Sequence, residues 1–177
     1  LNNILNDINA IIDFLLYAKS DENKYNFLLI PSIRQKVFNN TFQTIIFEDD
    51  SYYEKLFLNL SEEEKNKFYK YIKGNYLPIF LKNHFSFFGE DKVFDIIMNS
   101  WLDDKSYEMF LPYFKDNVKI KGILLKIKNP LIKGKYFDML PIYEKKRCII
   151  YLPNKLDYIN DKELLPYIIA SVGDEKL

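Results

Sequence analysis

Histidine and cysteine each occur once in this 177-residue sequence, at His84 and Cys148. A lone cysteine excludes an internal disulfide, and a lone histidine excludes zinc sites built on two or more histidines. Within Cys148-Ile149-Ile150-Tyr151-Leu152, the cysteine reads as a small buried apolar residue, and a reducing, cytoplasmic setting is expected. A Cys–His nucleophile pair could only join Cys148 to His84, and nothing local to either residue supports one. Glycine is almost as scarce, with five residues and no G-x-G-x-x-G. Gly134-Lys135 resembles the end of a P-loop, but Asn129 stands where the first glycine is required. No nucleotide cofactor is therefore expected. The longest uncharged, apolar-rich run of the first half, Tyr25 to Ile33, contains Pro31 and is about half of the ~20 residues a membrane span needs. No membrane partner is expected, and the opening Leu1-Asn2-Asn3 lacks the basic start of a secretory leader. Net charge is missing too, because 25 basic and 25 acidic residues cancel. No global field advertises a nucleic acid or an anionic surface. Alanine occurs only at positions 10, 18 and 170, while Asn, Lys, Ile, Tyr and Phe abound, the bias of an AT-rich genome. Lysine-rich stretches in such a chain do not by themselves mark function.

What the chain does contain fills a core: 48% hydrophobic and 17% aromatic residues over a length typical of one domain, residues 1–177. Leu1, Ile4, Leu5, Ile8, Ile11, Ile12, Leu15 and Leu16 recur at helical spacing, predicting a helix to Tyr17 with its Ile4, Ile8, Ile11, Leu15 side packed inward. Ser20 to Lys24 reads as a polar turn, followed by a helix over residues 25–40 that restarts at Pro31. A loop at residues 48–51 feeds a short helix from Tyr52 to Asn59. Ser61-Glu62-Glu63-Glu64 has the form of a capping box, opening a helix that should run to about Lys73 and stop at Gly74-Asn75. Two more helices are expected at Asp91 to Leu102 and Lys105 to Phe114. In the first, Phe94, Met98 and Trp101 should share the buried face.

The fold class is accordingly mostly α, a single irregular helical domain. Leu-Pro recurs at 77–78, 111–112, 140–141, 152–153 and 165–166, spacings too uneven for a strict repeat. They suit helix pairs of a length that resembles HEAT repeats, a likeness of architecture alone. Residues 118–127 fit two periods, and the helical one is preferred, through Ile120, Ile123, Leu124, Ile127 and Leu131. The alternative is α+β, with a small hairpin made from 118–127 and 147–152.

Two constellations carry potential chemistry. Asp138, Glu144 and Lys146 form Asp…Glu-x-Lys, which in principle holds a divalent ion beside a water. The pattern straddles Pro141 instead of sitting on paired strands, so a metal-dependent nuclease is a remote reading and no metal ligand is assigned. From Lys115 to Arg147 there are ten basic and three acidic residues, a net +7 in a neutral chain. Lys119, Lys121, Lys126, Lys128, Lys133, Lys135, Lys145, Lys146 and Arg147 are its candidates for a polyanion, with Tyr136, Phe137 and Tyr143 interleaved. A nucleic-acid-binding helical protein is the alternative function on that basis. The leading expectation is a protein–protein binding module without catalysis, of the inhibitor, immunity or anti-defence type. Its aromatic supply and opposed charge regions suit a complementary partner.

Overall fold

Short helices depend on their ends as much as on their middles, and this chain is built from short helices. The computed structural model describes residues 7–39, 45–152 and 154–173, and no α-helix in them exceeds ten residues. Contacts fall into two units divided between His84 and Phe85. The first holds α1 (Ile8–Tyr17), α2 (Asp21–Leu28), α3 (Pro31–Asn39), α4 (Ser51–Leu58), α5 (Glu62–Phe68) and α6 (Leu77–Asn83). The second holds α7 (Phe85–Phe88), α8 (Glu90–Met98), α9 (Asp104–Phe110), α10 (Asn117–Lys126), α11 (Pro130–Phe137), α12 (Ile142–Cys148) and α13 (Leu165–Gly173).

The mostly helical expectation holds, and no strand occurs among the described residues. The hairpin alternative does not hold. Residues 118–127 form α10 and its C-cap, and residues 147–152 close α12 and continue into a 3₁₀ turn. The helical period wins because it sends Ile123, Leu124 and Ile127 into the core together.

A local pattern recurs about every 40 residues, close to the HEAT length. The seven-residue helices α5, α9 and α12 each tighten into a three-residue 3₁₀ turn, at Tyr69–Tyr71, Leu111–Tyr113 and Ile149–Tyr151. One extended residue follows each turn: Ile72, Phe114 or Leu152. The last residue of each helix and that extended residue, four positions on, are both buried: Phe68 with Ile72, Phe110 with Phe114, Cys148 with Leu152. Tightening satisfies trailing carbonyls and turns the chain while keeping two apolar side chains inside. The Leu-Pro dipeptides do not mark this pattern. They fall variously at a helix start, in a 3₁₀ turn and before a helix.

In the first unit the N-terminal helix is described from Ile8, with Asp7 as its cap; Leu1 to Asn6, and with them Ile4, lie outside the described residues. Ile11 and Leu15 are buried as expected and Ile8 is half-buried. The Phe14 ring meets Phe27 at 4.6 Å. The turn expected at Ser20–Lys24 is instead a helix start, because Ser20 Oγ accepts from the Asn23 amide and lets α2 begin at Asp21. The capping box forms: Ser61 Oγ accepts from the Glu64 amide at 3.3 Å, and the Ser61 amide donates to Glu64 Oε2 at 2.9 Å. Glu64 Oε1 also accepts from Arg34 Nε at 2.6 Å, and Arg34 reaches the Leu28 and Leu29 carbonyls that end α2. One side chain therefore links three helices. In the same unit Phe47, Tyr53, Phe68 and Phe80 are almost fully buried, with Phe57 edge-on to Phe80 at 5.1 Å.

In the second unit α8 stops at Met98, earlier than its apolar stripe suggests. Asn99 Nδ2 donates back to the Asp95 carbonyl and Ser100 Oγ to the Ile96 carbonyl. Both side chains compete with the helical ladder and end it. Trp101 is then carried off the buried face into the α8–α9 turn, where it is fully exposed at 103%. The expectation of a buried Trp101 is corrected by that early stop. Gly122 sits where α10 crosses α8, and a Cβ there would meet Phe94 Cζ at 2.9 Å.

First-turn carboxylates bind across to other elements. Glu90 accepts from the Lys115 and Asp116 amides at 3.2 Å each, and Asp21 accepts from the Asp49 amide at 2.8 Å. Asp104 accepts from the Lys128 and Asn129 amides at 2.9 and 2.7 Å.

Gly122→Val should lower stability by about 1–3 kcal/mol through overpacking against Phe94, measured by urea denaturation. Burial works against the charge on Glu64, but the bonds from Arg34 and Ser61 outweigh it and hold this carboxyl below its ordinary range. A depressed native pKa gives stability that is full above the unfolded value and is lost as pH falls through the native one. Glu64→Ala should therefore cost about 1–2 kcal/mol at neutral pH, and the gap from wild type should shrink as pH falls below the ordinary carboxylate range.

Candidate functional site

The basic segment folds into α10, α11 and α12, and its charges do not gather on one face. Lys119 pairs with Asp91 at 2.5 Å and also approaches Glu90 and Asp116. Lys135 meets Glu108 at 3.5 Å, Lys146 meets Glu163 at 2.9 Å, and Arg147 lies 3.7 Å from Glu144. Lys145 sits 5.8 Å above the Phe137 ring. Lys121 lies close enough for its charge to reach Cys148, whose thiol is pushed up chiefly by burial. Lys126 is exposed. The unit's own carboxylates thus neutralise much of the +7 read from the sequence.

Lys128 and Lys133 behave differently. With Lys155 they line a cleft of about 510 Å³, walled by Leu125, Ile127, Ile150, Tyr151 and Leu152. Three elements deliver the lysines: Lys128 just past the end of α10, Lys133 in α11, and Lys155 at the start of a 3₁₀ turn, Lys155–Tyr158. Among the described residues no ion pair holds the Lys128 or Lys133 ammonium. Burial pushes the Lys133 ammonium down, and the Asp104 charge pulls it partly back. Sequence reasoning missed Lys155, which lies beyond the charge run and reaches the cleft from the 3₁₀ turn Lys155–Tyr158. It also missed the apolar wall from Ile150 and Tyr151.

The Asp138, Glu144 and Lys146 pattern does not form a common centre. Asp138 hydrogen-bonds Tyr158, whose hydroxyl is pushed up to about 12 by burial and by that carboxylate. Lys146 turns to Glu163, and Glu144 is buried on α12 with Arg147 as its nearest cation. Among the described residues no three His, Cys, Asp or Glu side chains gather as a metal-holding group. His84 belongs to the first unit. Its Nε2 lies 2.5 Å from Glu54 Oε2, and its ring packs against Phe57 and Phe80. Tyr76 donates to the other oxygen of Glu54 at 2.7 Å. Burial opposes the Glu54 charge, but the Tyr76 and His84 bonds outweigh it and keep the carboxyl below its ordinary range.

Asp104, three residues after Trp101, binds the backbone of Lys128 and Asn129 on the cleft rim. Three residues of chain span at most about 10 Å, which bounds how far the Trp101 backbone stands from that of Asp104. Leu131, two residues past Asn129, is exposed at 81%. The described helices include none long and apolar enough to cross a membrane.

With four of its nine candidate cations paired, the wild-type chain should bind heparin weakly. It should elute below about 0.3 M salt, the behaviour of few phosphate-type contacts. Elution well above that would show that the pairs open to a polyanion. No protein-family model, curated protein or solved structure matches this chain.

Proposed function

We propose that the chain is a protein-binding module that acts by direct association, as inhibitors and immunity proteins do, and not by catalysis. The observation that carries this reading is the fully exposed Trp101 on a turn that both flanking helices hold in place. Ser100 Oγ fixes the turn to α8, and Asp103 accepts from the Ser106 amide to open α9. A solvent-facing tryptophan is costly to leave in water, and tryptophan is among the side chains enriched at interface hot spots. Leu131, exposed two residues past the Asn129 amide that Asp104 holds, supplies further apolar surface, and Lys128 a charge for orientation. The nucleic-acid reading draws less support, because Lys119, Lys135, Lys146 and Arg147 already have carboxylate partners. A cytoplasmic setting accords with the single buried Cys148.

Trp101→Ala separates this reading from a structural one. The variant should melt within about 1 kcal/mol of wild type in denaturant, since a surface truncation removes no core packing. Partners captured by the wild type from source-cell extract and identified by mass spectrometry should be lost, with an affinity penalty of about 2 kcal/mol or more. Undiminished capture by Trp101→Ala, with the fold intact, would sink the assignment.

A further inference from the structure

We infer that the cleft between α10, α11 and the Lys155 turn binds a small organic phosphate monoester. Its dianionic head would sit among Lys128, Lys133 and Lys155, and its aromatic or apolar body against Leu125, Ile150 and Tyr151. This inference does not rest on the Trp101 reading.

A lysine ammonium taken partly out of water loses hydration, and that loss is normally offset by a nearby carboxylate. Lys119 and Lys146 follow this rule with partners inside the unit. Lys133 does not: it is half-buried, and no carboxylate lies within ion-pair distance among the described residues. Asp104 is the acid whose charge reaches it, and both Asp104 oxygens are already occupied by the Lys128 and Asn129 amides. A bound anion would supply the missing charge without dismantling any contact described.

Ligand class follows from the donors and the walls. The cations are all lysines, point charges that suit phosphate oxygens, and no arginine fork is present to select a planar carboxylate. Lys128 and Lys133, which no carboxylate pairs among the described residues, favour a dianion over the single charge of a phosphodiester. The cleft's 510 Å³ falls in the ~300–1,000 Å³ range of small-molecule sites and greatly exceeds a bare phosphate ion. Leu125, Ile150 and Tyr151 each remain 43–52% exposed there, so apolar wall is available for the rest of the ligand.

Titration calorimetry of the 177-residue chain with phenyl phosphate tests this directly. Saturable binding is expected, about tenfold or more tighter than for inorganic phosphate or phenol alone, because head and body both contribute. Lys133→Gln and Lys128→Gln should each weaken it about tenfold, while Lys126→Gln, outside the cleft, should leave it unchanged. Circular dichroism melts confirm that each variant is folded, and the exposed Lys128 keeps the test valid if Lys133→Gln is not. Absence of saturable heat, or equal binding by folded Lys128→Gln, overturns the proposal. Inorganic phosphate binding as tightly as phenyl phosphate overturns the assigned body site. An oligonucleotide that displaces phenyl phosphate with higher affinity replaces the monoester with a nucleic-acid backbone.

Discussion

A carboxylate at the first position of one helix holds the backbone that enters another, and the arrangement of the helices depends on this contact. Asp21, Glu90 and Asp104 open α2, α8 and α9. Each accepts amide protons from residues just before a different helix: Asp49 before α4, Lys115 and Asp116 before α10, Lys128 and Asn129 before α11. Helices of ten residues or fewer are marginal in isolation, so their geometry must come from packing and from ends tied together. A carboxylate at a helix start faces the positive end of the helix dipole, and hydrogen bonds to a charged acceptor are stronger than neutral ones. Arg34 performs the converse task in the first unit, joining the carbonyl end of α2 to the capping carboxylate of α5.

Part of this was legible in the sequence, for identifiable reasons. Capping is local, so Ser61 and Glu64 announced the start of α5 and the structure keeps both bonds. The period of residues 118–127 correctly favoured a helix, because Gly122 permits the crossing with α8 without interrupting the apolar face. Local signals failed where side chains competed with the backbone. Asn99 and Ser100 bond back to the helix and end it, so Trp101 left the stripe that its spacing implied. The recurring 3₁₀ exits were hidden as well, since equivalent positions hold Phe68, Phe110 and Cys148, three side chains that share burial and little else.

The candidate site shows the same division. Summed along the chain, residues 115–147 are strongly basic, but folding supplies acids from elsewhere in the unit: Asp91 on α8, Glu108 on α9 and Glu163 ahead of α13. Charge along a sequence is additive, whereas charge on a surface depends on which signs are brought together. Lys128 and Lys133 emerge from that cancellation as cations facing a cleft, and Lys155 joins them from outside the run. No linear pattern contains that triplet. Only the packing of three separate elements assembles it.

The exposed Trp101 also changes what light can report about this molecule. It is the sole tryptophan among 177 residues, and its indole is surrounded by water in the native state. Denaturation would move it from one aqueous environment to another, so its emission carries little information about folding. The core is instead populated by tyrosine and phenylalanine, with Tyr53, Tyr71, Tyr76 and Tyr107 buried. Tyrosine absorbance and ellipticity therefore follow the fold, and indole emission follows only what comes to rest on the α8–α9 turn. Folding and surface contact are spectroscopically separable in the unmodified chain.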